Sequence, residues 1–134
     1  MRGQKVYLCG AINGCTDNEA MGWRRNATLL LADNGFQAVD PMARDYRGKE
    51  DQNWQAIVEG DLEDIRSVGS LLVNAERASW GTAMEIHAAW TMGLQVVAFV
   101  PSGKPVSPWL RYHTRDNIAP NLDAAVVQLV RLLS

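Results

Sequence analysis

The sequence predicts an α/β protein in which helices cover both faces of a mostly parallel β-sheet. The first observation is that short apolar runs alternate along the chain with segments whose apolar residues recur at the helical period, in the order β-α-β-α-β-α-β-α. The second is that no Pro/Ser-rich linker, tandem repeat or low-complexity tract interrupts this alternation. A chain of 134 residues is long enough for one hydrophobic core, so we expect a single domain over residues 1–134.

The first half of the chain supplies two strands and two helices. Residues 5–10 (KVYLCG) predict the first strand, and a helix follows over about residues 18–33, where Asn34-Gly35 is typical of a helix end. A short second strand is expected over residues 36–39, closed by Asp40-Pro41. After a polar loop, the second helix is expected over about residues 51–66.

The second half continues the alternation. Residues 70–75 (SLLVNA) and 94–100 (LQVVAFV) predict buried strands, with a helix from about residue 81 to residue 93 between them. The last helix is expected over residues 121–133, after a long connection at residues 101–120 in which the stretch near Asn117 could add an edge strand. The predicted fold is a flavodoxin-like or Rossmann-like three-layer sandwich with four or five strands.

Composition and charge exclude several classes of protein. Hydrophobic residues make up 47% and charged residues 21% of the chain, and no apolar stretch approaches the roughly 20 residues of a membrane-spanning helix. A formal net charge of −2 does not suit a nucleic acid polymer as the partner. Cys9 and Cys15 lack metal-ligand spacing, and the chain starts without a secretory apolar segment, so we expect reduced thiols and a cytoplasmic protein.

Ligands of open parallel sheets bind beyond the carboxyl ends of the strands, where the strand order reverses. The site is therefore expected in the loops at residues 10–17, 40–47, 74–85 and 101–113.

Two carboxylates next to these loops lie on apolar helix faces. Asp61 falls within the stripe formed by Trp54, Ile57, Val58, Leu62 and Ile65, whereas Glu59 and Glu63 point to water. A carboxylate facing a core is costly unless it is paired, hydrogen-bonded or protonated. Asp61 is therefore either a functional group or a buried side chain that bonds to a neighbouring loop.

Glu85 shares a helical stripe with Ala88, Ala89 and Met92, and we expect it in the first turn of its helix. The positive end of the helix dipole would keep such a carboxylate ionised, as a nucleophile requires. The alternative is a capping box starting at Thr82, in which Glu85 only bonds back to the backbone. Taken together, two inward carboxylates at this edge suit glycosidic bond chemistry, in which one attacks the anomeric carbon and the other handles protons.

Three blocks of sequence make the chain resemble the nucleoside 2-deoxyribosyltransferase family, including its branch of nucleoside 5′-monophosphate N-glycosidases. The blocks are YLCG at residues 7–10, DLEDI at residues 61–65 and SWGTAMEIHAAWTMGLQVV at residues 79–97. The resemblance implies that Glu85 is the nucleophile, that Asp61 assists departure or arrival of the base, and that Tyr7 orients the glutamate. A plain packing role for Tyr7 in a buried strand remains the alternative.

The resemblance also implies that the residue six positions before the nucleophile, here Ser79, reads the sugar 5′ position. A serine hydroxyl can donate to a phosphate without adding negative charge, whereas an aspartate would repel it, so Ser79 favours a nucleoside 5′-monophosphate. The alternative is a helix cap. The nucleotide-hydrolysing branch tends to carry an arginine in the first loop, and this chain has Ala11-Ile12-Asn13-Gly14 there, so a free nucleoside stays open.

The remaining substrate-binding candidates come from the loops that would surround the sugar and base. Backbone and side-chain donors for a phosphate are expected from the first loop and from the helix start, and a role for Arg24 or Arg25 is a further option. Residues after the second strand, together with Trp80 and Trp109, would face the base. The complete set of substrate-binding candidates is Ser79, Gly10, Asn13, Gly14, Asp40, Met42 and Gly81.

The predicted function is cleavage of the N-glycosidic bond of a (2′-deoxy)nucleoside or its 5′-monophosphate through a covalent glycosyl-Glu85 intermediate, with the sugar passed to water or to another base. No metal or organic cofactor is required, because the carboxylate itself stabilises the developing positive charge. The resemblance implies a homodimer or higher homo-oligomer with a shared site, in which His113 or Asn117 could reach a neighbouring subunit. The alternatives are a non-catalytic nucleotide-binding or sensor module and an inactive assembly subunit.

Overall fold

The computed structural model describes residues 2–134, and its centre is a five-stranded parallel sheet with the strand order β2-β1-β3-β4-β5. This confirms the predicted α/β class, and the edge strand near Asn117 is present. The strands are β1 (Lys5–Gly10), β2 (Gln37–Val39), β3 (Ser70–Asn74), β4 (Gln95–Phe99) and β5 (Ile118–Ala119). The helices are α1 (Trp23–Asp33), α2 (Glu50–Arg66), α3 (Trp80–Thr91), α4 (Pro108–Thr114) and α5 (Leu122–Leu133).

Two hydrophobic cores lie on opposite faces of the sheet, because successive strand residues point to opposite sides. Val6 and Leu8 of β1 pack with α1 and α5, through residues such as Leu31 and Leu129. The intervening residues Tyr7 and Cys9 pack on the other face, among residues of α2 and α3. The chain is therefore a three-layer sandwich, and β1 sends Tyr7 and Cys9 toward α3.

The strand order reverses at β1, which pairs with β2 on one side and with β3 on the other. The last register pair of β1 and β3 joins Gly10 to Asn74, so both strands end at the same level. A Cβ atom on Gly10 would lie 2.9 Å from the Trp23 ring and 3.3 Å from Asn74 Cβ, and only glycine fits this close approach. The loops after β1, β2 and β3 diverge from this point and enclose a cleft.

The structure differs from the sequence-based expectation at three helices. A π-helical turn at Asn18–Gly22 leads into α1. The connection at residues 101–120 contains α4, which starts at Pro108 with the Ser107 hydroxyl accepting a hydrogen bond from Trp109 N. Helix α3 begins at Trp80, so Glu85 lies in its second turn and the expectation of a first-turn position is wrong.

The apolar stripe of α2 is buried only at its carboxyl end. Ile65 is fully buried, but Trp54 and Val58 are 66% and 53% exposed. As the crossover from β2 to β3, α2 starts at the carboxyl edge of the sheet, where no strand lies beneath it. The amino-terminal half of the stripe therefore forms a wall of the cleft and is not part of the core. The predicted outward positions of Glu59 and Glu63 are confirmed, since both are exposed.

Candidate active site

Glu85 projects from α3 toward the end of β1, where two side chains of that strand contact its carboxylate. The phenol of Tyr7 donates a hydrogen bond to Oε2 of Glu85. The thiol of Cys9, two residues along the same strand face, lies 3.5 Å from Oε1 as its donor. Tyr7 and Cys9 are fully buried, so both contacts of the carboxylate come from side chains packed in the protein interior.

Burial dominates the ionisation of Glu85 and raises its pKa to about 7. The hydrogen bonds from Tyr7 and Cys9 act in the opposite direction, and the negative charge of Asp61 adds to the increase. Burial and the charge of Glu85 also raise the pKa of the Tyr7 phenol, which therefore remains a donor. Burial thus favours the protonated form of Glu85, whereas the two hydrogen-bond donors favour its carboxylate.

The capping alternative for Glu85 does not describe the structure. The N-cap of α3 is Ser79, whose hydroxyl accepts a hydrogen bond from Thr82 N at 3.1 Å and donates to Thr82 Oγ1 at 2.7 Å. This frees the Glu85 side chain from any capping task. It also places the Ser79 hydroxyl at the positive end of α3.

Asp61 comes from α2 and is half-buried. Its Oδ1 accepts a hydrogen bond from Arg44 Nη2 at 3.2 Å, and the same nitrogen donates to Asp64 Oδ2 at 2.7 Å. Burial raises the pKa of Asp61, and Arg44 opposes that increase. Two carboxyl groups with raised pKa values, Asp61 and Glu85, therefore face the same space.

That space is a cavity of about 390 Å³ at the carboxyl edge of the sheet. Apolar side chains of α2 and the loop after β2 form one side, and the start of α3 forms the other. The lining residues are Gly10, Ile12, Asn13, Pro41, Met42, Arg44, Asp45, Tyr46, Arg47, Glu50, Trp54, Ile57, Val58, Asp61, Ser79, Trp80, Gly81, Thr82 and Glu85. A pocket with apolar walls and a few converging polar groups is the usual form of a small-molecule site.

A second cavity of about 540 Å³ lies on the other side of the first turns of α3. Ser79 and Thr82 border both cavities, but neither Glu85 nor Asp61 lines the second one. The His87–His113 pair lies there, with Nδ1 of His87 and Nε2 of His113 2.9 Å apart. His113 is only 7% exposed and its Nδ1 bonds to Trp109 O within its own chain, which does not favour a role in a neighbouring subunit.

The chain matches one sequence family over most of its length. The family model described as nucleoside 2-deoxyribosyltransferase matches residues 6–126, a range that includes every residue lining the cavity. The chain belongs to the nucleoside 2-deoxyribosyltransferase family. Membership assigns it to the nucleoside deoxyribosyltransferase and N-glycosidase class of enzymes. Among curated protein sequences, no significant match to this chain is found.

Solved structures place the chain in the fold of the nucleoside 2-deoxyribosyltransferase family. The 2-deoxyribosyltransferase from Bacillus psychrosaccharolyticus is 19% identical, with a TM-score of 0.66 over 81% of each chain. The CMP N-glycosidase BcmB from Clostridium botulinum is 17% identical, with a TM-score of 0.64 over 93% of this chain and 97% of the other. A conserved protein from Enterococcus faecalis is 19% identical, with a TM-score of 0.58 over 96% and 87%.

The structure brings seven of the ten predicted site residues to the cavity. Tyr7 lies directly behind Glu85. Gly14 is farther out, with its carbonyl accepting a hydrogen bond from Arg77 at 3.2 Å. Asp40 accepts a hydrogen bond from Met42 N at 2.9 Å and pairs with Arg24 at 3.4 Å, and it does not line the cavity. The seven residues at the cavity are Glu85, Asp61, Ser79, Gly10, Asn13, Met42 and Gly81.

Arg24 does not reach the cavity, although its sequence position made it a candidate for binding phosphate. It is 1% exposed and donates to Gly10 O at 3.0 Å and to Ala20 O at 2.7 Å. It therefore fixes the first loop from inside the protein, whereas Arg25 is exposed.

The sequence did not predict the contacts of two residues with the carboxylates, those of Cys9 with Glu85 and of Arg44 with Asp61. Cys9 could have been found, because it shares a strand face with Tyr7. The contact of Arg44 with Asp61 depends on the tertiary fold, and no sequence pattern predicts it. Within residues 2–134, no group of three or more His, Cys, Asp or Glu side chains is arranged to hold a metal ion. No helix in the same range has the length and apolar character needed to cross a bilayer.

Proposed function

We propose that this protein cleaves the N-glycosidic bond of a (2′-deoxy)nucleoside or its 5′-monophosphate through a covalent glycosyl-Glu85 intermediate. The observation that carries the proposal is the hydrogen bond between Tyr7 and Glu85 at the floor of a cavity that also contains Asp61. A carboxylate that packing and two donors hold in one orientation is suited to attack a single carbon atom.

In the first step an oxygen of ionised Glu85 attacks C1′ of the sugar. The bond between C1′ and the base nitrogen breaks, and its electron pair leaves with the base. Asp61, which lines the same cavity, donates a proton to the departing base. The developing positive charge on the sugar is stabilised by the adjacent carboxylate, so the residues of the cavity supply each group that this step needs.

In the second step water or another base attacks C1′, and Glu85 leaves as a carboxylate. The attacking molecule gives its proton to the Asp61 carboxylate, which returns the site to its starting state. Water as the acceptor gives hydrolysis, and a second base gives transfer. Both outcomes use the same protein groups, so the acceptor is determined by what can enter the cavity next.

The start of α3 is the proposed binding site of the sugar 5′ end. Ser79 lies at this helix start beside Gly81, and both line the cavity with the Asn13 side of the first loop. The backbone N–H groups of the first turn favour a negative group, and no carboxylate stands at Ser79 to repel it. We therefore favour a 5′-monophosphate over a free nucleoside. The proposed base position lies against Met42 and Trp54.

We also propose a homodimer or higher homo-oligomer. Trp80 and Trp109 are 84% and 76% exposed, and Met84 and Tyr112 add further exposed apolar area on α3 and α4. Monomers rarely leave such a group of aromatic side chains in water. A cytoplasmic location is likewise proposed, and the free thiols of Cys9 and Cys15 are compatible with it.

The test is incubation with a panel of nucleosides and their 5′-monophosphates, followed by chromatography of the released base. Wild-type protein should release base, Glu85→Ala should not, and mass spectrometry of a quenched reaction should detect the sugar attached to Glu85. Addition of a second base separates transfer from hydrolysis. Equal base release by wild type and Glu85→Ala would reject the proposal, and tight binding without any product would instead favour a sensor module.

A further inference from the structure

Arg44 connects two carboxylates of α2 on one wall of the cavity. Its Nη2 donates to Asp64 at 2.7 Å and to Asp61 at 3.2 Å. Because Asp64 follows Asp61 by three residues, both side chains leave the same face of the helix. The shorter hydrogen bond, to Asp64, anchors the guanidinium. The longer one engages only Oδ1 of Asp61, so Arg44 does not occupy Oδ2.

The Arg44 guanidinium packs against the backbone of Gly60 in α2. A Cβ atom at residue 60 would be 3.0 Å from Arg44 Nε and 3.3 Å from both Cζ and Nη2. Glycine within a helix costs about 1 kcal/mol relative to alanine, so its place in the middle of α2 calls for a reason. The close approach of Arg44 supplies one, since any larger residue would displace the guanidinium.

We propose that Arg44, anchored by Asp64 and lying against Gly60, is a positioning residue that fixes the orientation and the charge state of Asp61. This inference rests on the proposed function, in which Asp61 exchanges a proton with the base and with the acceptor. Arg44 holds Oδ1 and directs Oδ2 to the substrate. Its positive charge also limits how strongly the Asp61 carboxyl retains its proton, which that carboxyl must release in every cycle.

Charged and titratable groups from each neighbouring element act on Asp61. Asp64 lies on the same helix, Glu85 faces it from α3, and Tyr7 and Cys9 of β1 lie behind Glu85. Asp64 makes protonation of Asp61 easier, and burial does the same. Arg44 lowers the pKa of Asp61 through its charge and its hydrogen bond, and a hydrogen bond with Glu85 acts in the same direction. Removal of the Arg44 charge should therefore raise the pKa of Asp61.

The experiment titrates Asp61 directly, by ¹³C NMR of protein labelled at the aspartate carboxyl carbons. The resonance of Asp61 is assigned by its loss in Asp61→Asn. In Arg44→Met the pKa of Asp61 should rise by about one pH unit or more, because an opposite charge at this range is lost. Arg44→Lys keeps the charge without the planar fork and should leave that pKa near its wild-type value.

Gly60→Ala is the second variant, and it keeps the fold because alanine favours helix. It should raise the pKa of Asp61 in the same direction as Arg44→Met but by less, since the guanidinium moves only a few tenths of an ångström. Arg66→Met is the matched control, because Arg66 lies on the same helix and pairs with the exposed Glu63. An Asp61 pKa that is unchanged in Arg44→Met, or equally changed in Arg66→Met, overturns the proposal.

Turnover provides a second measurement. In Arg44→Met the pH optimum of kcat should move to higher pH together with the Asp61 pKa, and the maximal kcat should fall at least tenfold as the orientation of Asp61 is lost. A lower kcat with an unmoved pH optimum would mean that Arg44 is only structural, which contradicts the proposal. The NMR titration needs no substrate, so it tests the effect of Arg44 on Asp61 even if the protein does not cleave nucleosides. The two failures can therefore be distinguished.

Discussion

The Tyr7 phenol donates a hydrogen bond to Glu85 Oε2, although 78 residues separate the two along the chain. The contact joins the central strand to the second turn of α3. It requires a strand residue that points to the α3 face and a helix residue that points back to the sheet. Neither partner is free to rotate, since the phenol is fully buried and the carboxylate has the Cys9 thiol on its other oxygen.

Tyr7→Phe should move the pH dependence of the reaction. The nucleophile must be ionised, so kcat/KM should rise with pH up to the Glu85 pKa of about 7. Loss of the phenol removes a donor to the charged form, and the pKa of Glu85 should therefore increase. We expect the acid limb of kcat/KM to shift upward by about one pH unit, with a lower plateau. A lower plateau with the same limb would show that Tyr7 only packs against Glu85.

Removal of the Cys9 thiol should also raise the pKa of Glu85, but by less than removal of the Tyr7 hydroxyl does. The thiol is a weak donor, 3.5 Å from Glu85 Oε1 and 3.8 Å from the carbonyl of Thr82. Cys9→Ala should raise the acid limb by less than Tyr7→Phe does, and Cys9→Ser, with its stronger hydroxyl donor, should lower it. Cys15→Ala serves as the control because this half-buried cysteine bonds to Ala11 O outside the carboxylate pair. An unmoved limb in Cys9→Ala would mean that the thiol donates to Thr82 instead.

Glu85 should make the fold less stable as pH rises. Its pKa increases from 4.5 in the unfolded chain to about 7 in the folded protein, mainly through burial. The folded state binds more protons between these values, so the free energy of unfolding decreases with pH across that interval and the loss is complete above it. Relative to wild type, Glu85→Gln should therefore gain about 3 kcal/mol between pH 4 and pH 8.

Urea unfolding at both pH values measures this difference. Glu59→Gln is the control, since it makes the same change on the exposed face of α2, away from the cavity. A gain for Glu85→Gln that does not depend on pH would contradict the raised pKa.

The sequence was sufficient to predict the strands of the sheet and the inward positions of the two carboxylates, because both follow from the local periodicity of apolar residues. It predicted Asp61 as a carboxylate within an apolar stripe, but it could not tell that Trp54 and Val58 of the same stripe line a cavity. A helical stripe has the same pattern whether a sheet or a ligand lies beneath it. The pairing of Arg44 with Asp61 crosses from a loop to a helix, and only the tertiary fold brings those residues together. The start of α4 could have been predicted, because Ser107 followed by Pro108 is a typical N-cap and first helical residue. The several prolines of this connection instead suggested a loop.

Ser79→Asp should reverse the preference for a phosphorylated substrate without unfolding α3. Aspartate is as good an N-cap as serine, so the hydrogen bond to Thr82 N can be kept. The added negative charge would repel a 5′-phosphate but accept a hydrogen bond from a free 5′-hydroxyl. We expect the ratio of kcat/KM for the monophosphate to that for the nucleoside to fall at least tenfold.

The matched control for this prediction is Ser107→Asp. Ser107 caps α4 in the same way, through Trp109 N at 3.2 Å, but it lines the second cavity and not the one that contains Glu85. The same charge is therefore added at the same kind of helix position, away from the proposed sugar site. If both variants lower the ratio equally, net charge alone explains the effect. If neither does, the sugar 5′ end does not bind at the start of α3.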